Sequence, residues 1–410
     1  MKIAIFSDCY LDLTGGITSS INAQKAALEK AGHTVYIFST SYPKTLEERQ
    51  KLAKSSIFPV PSCRWLIRGV TPISRRPKII EKWLLREHPE IKNFDIYYIH
   101  YESGCSITGL NLGKKLHIPT VQVMHGREDM GVTNIIPFGF RTIVATLLNW
   151  FHSWYIPHPI KIHRDDYLAD TTAKAKMWTM MVNHANYADY VITPSHHFAK
   201  KLARYGVKHK IQIFPNGYPD QNFPTNPTIK SLNPGEPLKI IWHSRLSGEK
   251  RIMPFLQALN QVNGKYHLDV YGGGADLKKA KHYVTKHNLS VTFHGNAKFT
   301  TVQSAILKSH LDVLASYNFD NYPMTLVEAE AAGVPAFICD PDMQEIVPKD
   351  SYILSAGPTP IQMTKALNNL LQHPEKIQQM SKIMLKNRNE ALISNRIKIL
   401  EKYFSDIINL

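Results

Sequence analysis

The chain has 410 residues, of which 43% are hydrophobic and 20% are charged. This balance is typical of a soluble globular protein and excludes disorder, and the length predicts two domains of about 200 residues each. The four cysteines are far apart and form no CxxC pair, which indicates a reducing compartment and argues against a structural zinc site. The first residues lack the basic, apolar and small-residue order of a signal peptide, so we expect a cytoplasmic protein.

The formal net charge of +16 is unevenly distributed. Residues 1–210 hold 28 Lys and Arg against 16 Asp and Glu, whereas residues 211–410 hold 21 against 17. A basic N-terminal half indicates an anionic partner, for which nucleic acid and anionic lipid are both candidates. Because no nucleic-acid-reading motif accompanies the charge, we expect no nucleic-acid partner.

Apolar runs typical of strands alternate with helical periodicity, which predicts an α/β fold with parallel sheets. The first such run, residues 2–7, is followed by helical spacing over roughly 17–31 and a second strand at 34–39. The other predicted strands of the N-terminal half are 96–101, 120–126, 190–195 and 211–217.

A polar, proline-bearing segment at 218–237 is typical of a linker, and the alternation restarts after it. The predicted strands beyond it are 238–244, 267–274, 290–296, 312–316 and 335–339. The restart favours two Rossmann-like domains facing each other across a cleft over a single large α/β enzyme. We predict an N-terminal domain of residues 1–215 with a terminal helix at 393–410, and a C-terminal domain of residues 216–392.

A glycine turn, Gly15 and Gly16, lies between the first strand and the first helix. Glycines here let the backbone approach a ligand, and the helix N-terminus offers free N–H groups to a phosphate. The stretch is not GxGxxG and no acid ends the second strand, which disfavours a dinucleotide site. A tight structural turn is the alternative.

Two cations, Arg245 and Lys250, follow a predicted strand in the stretch "HSRLSGEKR". Arginine binds a diphosphate through bidentate contacts, and lysine does so as a point charge. A turn between a strand and a helix that carries both cations therefore suits a diphosphate, although cations are common on protein surfaces.

Two acids eight positions apart, Asp320 and Glu328, flank a proline in the stretch "DNYPMTLVEAEAAG". Pro323 suits the first turn of a helix and Gly333 its end. Asp320 would lie in the preceding loop, with Glu328 about 7 Å along the helix axis from Pro323.

The N–H groups around Met324 and Thr325 would face an anion between these acids, which could hold hydroxyls on either side of a diphosphate. The alternative is that Glu328 and Glu330 are surface acids in an alanine-rich helix.

The stretch "VQVMHGREDM" ends a predicted strand with His125, Glu128 and Asp129. The carboxyl end of a strand is where α/β sheets place site residues, although a lone histidine is more often structural. A second acidic stretch, Asp340 and Asp342 in "CDPD", we interpret as a turn and not a metal motif.

In this order, Arg245 and Lys250, "VYGGG", "FHGN" and the two acids resemble the GT-B retaining glycosyltransferases of family 4. The resemblance covers nearly the whole chain, including "GGITSSINAQKAALEKAGHTVYIFS" and the "ITPS" and "FPNGYP" stretches. It implies that the C-terminal domain holds a nucleotide sugar, the N-terminal domain meets the acceptor, and the last helix crosses back to the N-terminal domain.

Carried over residue by residue, the resemblance implies that Glu328 binds ribose and that Asp320 binds hydroxyls of the donor sugar. The implied donor-binding residues are Gly15, Gly16, Arg245, Lys250, Asp320, Tyr322, Pro323, Met324, Thr325, Leu326 and Glu328. The implied catalytic residues are His125, Asp320, Arg245 and Lys250, with His125 contacting the sugar and stabilising charge in the transition state. The implied mechanism is front-face retaining transfer that requires no metal and no other cofactor.

The chain departs from the family pattern at two motifs. Asp320 stands where the family usually has Glu, and "SRLSGEKR" replaces the usual "GRLSPEKG". The shorter acid would reset the contact with the sugar hydroxyls.

Two segments combine cations with large apolar side chains. Residues 134–164 hold no acid, and residues 64–86 hold seven Lys and Arg against one acid. Aromatic anchors beside cations favour docking to an anionic membrane, whereas the alternative for 134–164 is a buried helical hairpin. The predicted acceptor or membrane residues are Arg64, Trp65, Arg68, Arg75, Arg76, Trp83, Arg141, Trp150 and Trp154.

The stretch "HGRED" is similar to one in the diacylglycerol glycosyltransferases of this family. That resemblance implies UDP-glucose or UDP-galactose as donor, diacylglycerol or glucosyl-diacylglycerol as acceptor, and a peripheral position on the inner face of the cell membrane. The alternative acceptors are a polyprenyl-linked glycan, a teichoic acid or exopolysaccharide precursor, and a protein. A non-catalytic sugar-nucleotide sensor is a further alternative, which would not need His125.

Overall fold

The computed structural model describes residues 1–9, 15–40, 45–63 and 73–409. These residues form two compact units. Unit 1 consists of Met1–Pro215 with the chain from Arg396 onward, and unit 2 consists of Asn216–Asn395. The sequence predicts divisions after residues 215 and 392, and the units divide after Pro215 and Asn395.

Unit 1 is built on a parallel sheet. Its elements are, in chain order, β1 (Lys2–Ser7), α1 (Gly16–Lys30), β2 (Thr34–Ser39), α2 (Leu46–Lys54), β3 (Ile57–Pro59), β4 (Ser62–Cys63), β5 (Ile73–Ser74), α3 (Pro77–Glu87), β6 (Ile96–His100), α4 (Gly104–Leu116), β7 (Thr120–Val123), α5 (Glu128–Ile135), α6 (Arg141–Ser153), α7 (Thr172–Tyr187), β8 (Tyr190–Thr193), α8 (His196–Arg204) and β9 (Ile211–Ile213). Over the described residues, the sheet order is β3-β2-β1-β6-β7-β8-β9, and β4 and β5 form a separate antiparallel pair.

Unit 2 repeats this architecture. Its elements are β10 (Leu238–His243), α9 (Ile252–Leu259), β11 (Tyr266–Tyr271), α10 (Leu277–His287), β12 (Val291–Gly295), α11 (Phe299–Ile306), β13 (Leu311–Leu314), α12 (Met324–Ala332), β14 (Ala336–Ile338), β15 (Tyr352–Leu354), α13 (Pro360–Gln372) and α14 (Glu375–Asn387). The sheet is parallel in the order β12-β11-β10-β13-β14-β15.

The central strands of unit 1 are almost wholly apolar because helices cover both faces of a parallel sheet. Every residue of β1 and β6 except Lys2 is buried. The carboxyl ends of neighbouring strands then lie at one edge of each sheet, which is where α/β proteins bind ligands. The predicted α/β class with two Rossmann-like sheets is confirmed.

Most of the last helix, α15 (Ile393–Ile408), belongs to unit 1, which includes the chain from Arg396 onward. The ring of Phe404 is fully buried and lies 5.1 Å from that of Tyr98. The Glu401 carboxylate lies 2.8 Å from Nε2 of His33, whose ring borders β2.

The segment 218–237 differs from the predicted linker because it is fastened to unit 2. The N–H of Tyr218 donates to the carbonyl of Ala391 at 2.6 Å, and the N–H of Ile393 donates to the carbonyl of Tyr218 at 2.9 Å. Further along, the N–H of Lys230 donates to the Ser381 hydroxyl at 2.9 Å. The segment is therefore packed as part of unit 2 and is not a free linker.

Candidate active site

Two loops of unit 2 interlock at the carboxyl ends of β10 and β11. A Cβ on Gly272 would lie 2.3 Å from the Ser244 carbonyl oxygen, and one on Gly274 would lie 2.3 Å from that of Leu246. Both glycines also have a positive φ, 125° and 154°. Only glycine fits this approach, so "YGGG" holds the loop after β10 in one conformation.

That loop carries Lys250 into an ion pair with Asp320, which follows β13. Lys250 Nζ donates to Asp320 Oδ1 at 2.6 Å, and each side chain is 11% exposed. The Ser316 hydroxyl donates to the second oxygen, Oδ2. Resemblance assigns the lysine to a diphosphate and the acid to sugar hydroxyls, and the structure brings the two side chains together.

Arg245, the other predicted cation, is placed differently. Its side chain is 70% exposed, and its guanidinium lies 3.3 Å from Glu249 Oε1. The same oxygen accepts a 2.6 Å hydrogen bond from the Ser247 hydroxyl. Arg245 is therefore a weakly held surface cation, and its role at a diphosphate remains a prediction.

Helix α12 begins one residue later than the proline signal predicts. Pro323 is the extended residue before Met324, the first helical residue, and Gly333 ends the helix in the left-handed conformation as predicted. The first backbone N–H groups of a helix have no intrahelical partner, so Met324 and Thr325 offer donors to an anion.

The other predicted residues around this helix start are partly packed. Leu326 is fully buried in the core of unit 2, and Tyr322 packs against the same core. The hydroxyl of Thr325 is buried, and within the described chain it has no hydrogen-bond partner. An unpaired buried hydroxyl at a helix start suits a ligand that satisfies it.

Glu328 is bonded to a residue that the sequence analysis did not single out. Its Oε2 lies 3.1 Å from Nδ1 of His243, and Nε2 of that histidine lies 2.5 Å from Oδ2 of Asp312. Glu328 is 19% exposed, whereas the other two side chains are buried. The interpretation of Glu328 and Glu330 as surface acids is wrong, because Glu330 is also buried.

At the glycine turn of unit 1, Gly15 precedes α1 and Gly16 begins it. A Cβ on Gly15 would meet no described atom within 4 Å, and its φ of −171° suits any residue. The described fold therefore does not itself require a glycine at Gly15.

His125 follows β7 and pairs with another buried histidine. Its Nε2 lies 2.7 Å from Nδ1 of His100, the last residue of β6, and the two rings stack at 5.0 Å. Burial lowers the pKa of His125 to about 3, and burial together with His125 lowers that of His100. His125 is therefore neutral at pH 7, and it can stabilise charge only as a hydrogen-bonding imidazole and not as a cation.

Acidic side chains line the same strand ends. Glu102, which the sequence analysis did not single out, is buried, and burial together with Glu128 raises its pKa. Burial and Asp129 raise the pKa of Glu128 to about 7. Asp129 itself is fixed by Arg127, whose Nη2 lies 2.5 Å from Oδ2. Tyr101, the residue directly after β6, has a positive φ of 76°. This is a strained conformation of the kind found at functional sites.

Two other acids at strand ends have structural roles. Asp8 accepts hydrogen bonds from the N–H groups of Ser103, Cys105 and Ser106, so it caps α4. Asp340 accepts from the N–H of Asp342 at 3.0 Å and begins a 3-10 turn, as predicted for "CDPD".

Seven large apolar side chains are exposed on α6 and its flanks. We call this the hairpin surface, and its residues are Phe138, Phe140, Ile143, Leu147, Leu148, Trp150 and Trp154. The opposite face packs on α7 through Ala145, which is fully buried beside Met177. The alternative of a wholly buried hairpin is therefore wrong, since Trp150 and Trp154 are each more than half exposed.

The remaining predicted membrane residues are less uniform. Arg64, Trp65 and Arg68 lie outside the described residues. Arg75 and Arg76 are exposed. Arg141 donates from Nε to the carbonyl of Ile136 at 2.9 Å. Trp83 is half-buried against the ring of His88, 4.9 Å away, which does not favour a role as a membrane anchor.

Comparisons with known proteins agree with this geometry. The Glycosyltransferase Family 4 model matches residues 14–222, and the Glycosyl transferases group 1 model matches residues 226–386. The Anabaena HepE structure in complex with UDP has a TM-score of 0.68 at 14% identity and covers 100% of both chains. This likeness defines the GT-B fold.

Two curated relatives transfer sugars. Lipopolysaccharide 1,6-galactosyltransferase of Escherichia coli is 28% identical over 173 residues, which are 39% of this chain and 46% of that protein. Alpha-monoglucosyldiacylglycerol synthase of Streptococcus pneumoniae is 25% identical over 355 residues, which are 82% of this chain and 70% of that protein. The first match thus spans less than half of the relative's length.

The fold and these matches are those of glycosyltransferases with the GT-B architecture. Within that class, the chain belongs to glycosyltransferase family 4, as its resemblance implied. No helix in the described part of the chain is both long and apolar enough to cross a bilayer.

Proposed function

We propose that this glycosyltransferase transfers glucose or galactose from a UDP-sugar to a hydroxyl of diacylglycerol or glucosyl-diacylglycerol, with retention at the anomeric carbon. The observation that carries the donor assignment is the Lys250–Asp320 ion pair, which precedes α12, with Glu328 farther along that helix. The UDP complex of HepE and the glucosyldiacylglycerol synthase relative support the donor and acceptor classes.

On the donor side, Lys250, Arg245 and the first N–H groups of α12 would neutralise the diphosphate as it leaves. Fixed charges and dipoles aimed at developing charge are often the largest catalytic contribution in an enzyme. Glu328 would hold the ribose hydroxyls, and Asp320 the hydroxyls of the sugar. This arrangement supplies the charge stabilisation without a metal ion.

On the acceptor side, His125 and Glu128 are the groups we assign. His125 is neutral, so its ring can donate one hydrogen bond to the sugar or accept one from it. The pKa of Glu128, about 7, suits a carboxyl that accepts a hydrogen bond from an alcohol near neutral pH. Both residues lie at the carboxyl end of β7.

The hairpin surface supports a membrane-bound acceptor. Exposed aromatic side chains next to cations bind the interface of an anionic bilayer. A cavity of about 420 Å³ beside α6 and α7 is lined by Lys161, His163, Arg164 and Lys176 among others. We therefore propose that unit 1 docks peripherally on the inner face of the cell membrane through this side.

A second candidate acceptor is a saccharide, such as a polyprenyl-linked glycan. The match to the lipopolysaccharide galactosyltransferase favours it, since that relative's name describes transfer to a glycan. A lipid-linked glycan would still place the enzyme at a membrane, whereas a soluble acceptor predicts no binding to liposomes.

The test is incubation of purified protein with radiolabelled UDP-glucose or UDP-galactose and anionic liposomes that contain or lack diacylglycerol or glucosyl-diacylglycerol. We expect label in the lipid extract with one donor, and its loss in Glu328→Ala and His125→Ala. The exposed substitution Ile361→Ala, on α13, is the matched control and should retain activity.

UDP-sugar binding or hydrolysis without labelled lipid would overturn the lipid acceptor and favour the saccharide. Binding of neither nucleotide would overturn the donor assignment itself.

A further inference from the structure

A buried histidine joins two carboxylates of unit 2. His243, the last residue of β10, has a side chain that is 3% exposed. Its Nε2 lies 2.5 Å from Asp312 Oδ2 and its Nδ1 lies 3.1 Å from Glu328 Oε2. The parallel pairing of Ile241 with Asp312 puts that acid on the neighbouring strand, so the sheet itself sets the first contact.

With both acids ionised, the chemistry of the three groups requires a charged ring. An ionised carboxylate only accepts hydrogen bonds, and a neutral imidazole has a single N–H to donate. Because both ring nitrogens face carboxylate oxygens, the ring makes both bonds only as an imidazolium. The two acids outweigh burial and raise the pKa of His243 to about 10, so the ring is charged at neutral pH.

We propose that His243 is a positioning residue that fixes the Glu328 carboxylate for the ribose hydroxyls of the donor nucleotide. The inference rests on the proposed function, which gives Glu328 that ligand. Glu328 is 19% exposed, so one of its oxygens is held from within the protein while the side chain still reaches solvent.

A glutamate side chain has several rotamers, and ordering it on binding costs conformational entropy. A charged partner in the core restricts those rotamers before the nucleotide binds, which lowers the cost of binding. Asp312 in turn holds the ring, and its side chain is fully buried. Asp312 on the sheet therefore fixes His243, and His243 in turn fixes Glu328.

The test measures the dissociation constants of UDP and of 2′,3′-dideoxy-UDP by calorimetry with the full-length protein. The dissociation constant of 2′,3′-dideoxy-UDP divided by that of UDP reports the contribution of the ribose hydroxyls alone. We expect a ratio above tenfold for the native chain and close to one for Glu328→Gln. In His243→Gln the ratio should fall at least fivefold. The double variant of His243→Gln with Glu328→Gln should have the same ratio as Glu328→Gln alone.

Removing a buried ring between two acids can impair folding, so a second pair of variants is needed. His243→Leu with Asp312→Leu removes the ring and its buried partner together, and its ratio should also fall at least fivefold. Asp312→Asn leaves an acceptor for Nε2 and keeps the ring against Glu328, so its ratio should stay within twofold of the native value.

A folded His243 variant that binds UDP more weakly but keeps the native ratio would overturn the inference, because a merely structural role predicts that result. If Glu328→Gln keeps the native ratio, the ribose assignment of Glu328 is wrong and the inference falls with it. No binding of UDP by the native chain would instead overturn the proposed function.

Discussion

Lys250 Nζ lies 2.6 Å from Asp320 Oδ1, so a cation and an acid that are 70 positions apart in the chain form one ion pair. Each side chain is 11% exposed, and the pair precedes the N-terminus of α12. Both partners must therefore be considered together in any account of donor binding.

Replacing Lys250 with methionine should lower kcat/KM for the UDP-sugar by about 10² to 10³. Removing one fixed donor from developing charge costs about 3–4 kcal/mol in other enzymes. Arg245→Met is the comparison, and we expect a loss below tenfold because that side chain is 70% exposed. Steady-state kinetics with both variants tests whether Lys250→Met loses more kcat/KM than Arg245→Met. Equal losses would contradict the prediction.

Trp150→Ala with Trp154→Ala should weaken binding to anionic liposomes by at least tenfold without changing the melting temperature. Both rings are more than half exposed, so they contribute little to the fold. Each would contribute about 1–2 kcal/mol on entering an interface. Liposome co-sedimentation provides the measurement. Ile361→Ala, which also removes an exposed apolar side chain, is the control, and an equal effect there would count against a specific docking surface.

Acid should destabilise unit 1 through its buried histidines. His152 lies 2.6 Å from His158 and 2.9 Å from His184 through its two ring nitrogens, and burial lowers the pKa of His184 to about 3. Because the unfolded chain has a histidine pKa near 6.5, it binds more protons below that pH. Stability is therefore lost as the pH falls from about 6.5 towards 3.

At pH 5 the protonation of His184 should lower the free energy of unfolding by about 2 kcal/mol. Urea denaturation at pH 7 and pH 5 measures the loss, and His184→Gln should make it smaller by that amount. The exposed His282→Gln serves as the control. An unchanged pH dependence in His184→Gln would contradict the assignment.

Gly274→Ala should lower the free energy of unfolding by at least about 2 kcal/mol and weaken UDP binding. A Cβ there would lie 2.3 Å from the Leu246 carbonyl oxygen, and the backbone must move to admit it. Gly235→Ala isolates the clash, since Gly235 also has a positive φ but its Cβ would meet nothing within 4 Å of the described chain. We expect a cost of about 1 kcal/mol there. If the two substitutions lower the free energy of unfolding by similar amounts, the clash with the Leu246 carbonyl oxygen is not the cause.

Chelation should leave activity unchanged. If Lys250, Arg245 and the start of α12 neutralise the diphosphate, transfer rates with and without EDTA should agree within twofold. A rate that falls with EDTA and returns with added Mg²⁺ would contradict this expectation.

Most of the strands could be predicted because their residues are apolar on both faces, as in β1 and β6. The edge strands β3 and β15 were not predicted, since each has only three residues. The strands β9 and β14 are equally short, but they lie within the longer predicted runs 211–217 and 335–339. The segment 218–237 was misjudged for a related reason. Its prolines and polar residues suggest a free linker, but Tyr218 and Lys230 are buried against unit 2.

The site was predicted as separate motifs, and its pairings were not. Lys250 and Asp320 were assigned to different parts of a ligand, although they bond to each other. His243 has no distinctive spacing in the sequence, because it meets Asp312 only through the pairing of β10 with β13. His100 and His125 meet in the same way across β6 and β7. Contacts set by strand order require the topology as well as the motif.

The bridge between Tyr218 and Leu392 has a consequence for how such chains diversify. It places the beginning and the end of unit 2 side by side, so residues 216–395 have the layout of an inserted cassette with two neighbouring junctions. Such a cassette can be exchanged between family members as one block, because both of its junctions lie at the same place in the fold. A chimaera that receives only this cassette would inherit the nucleotide-sugar preference of one parent and keep the acceptor of the other.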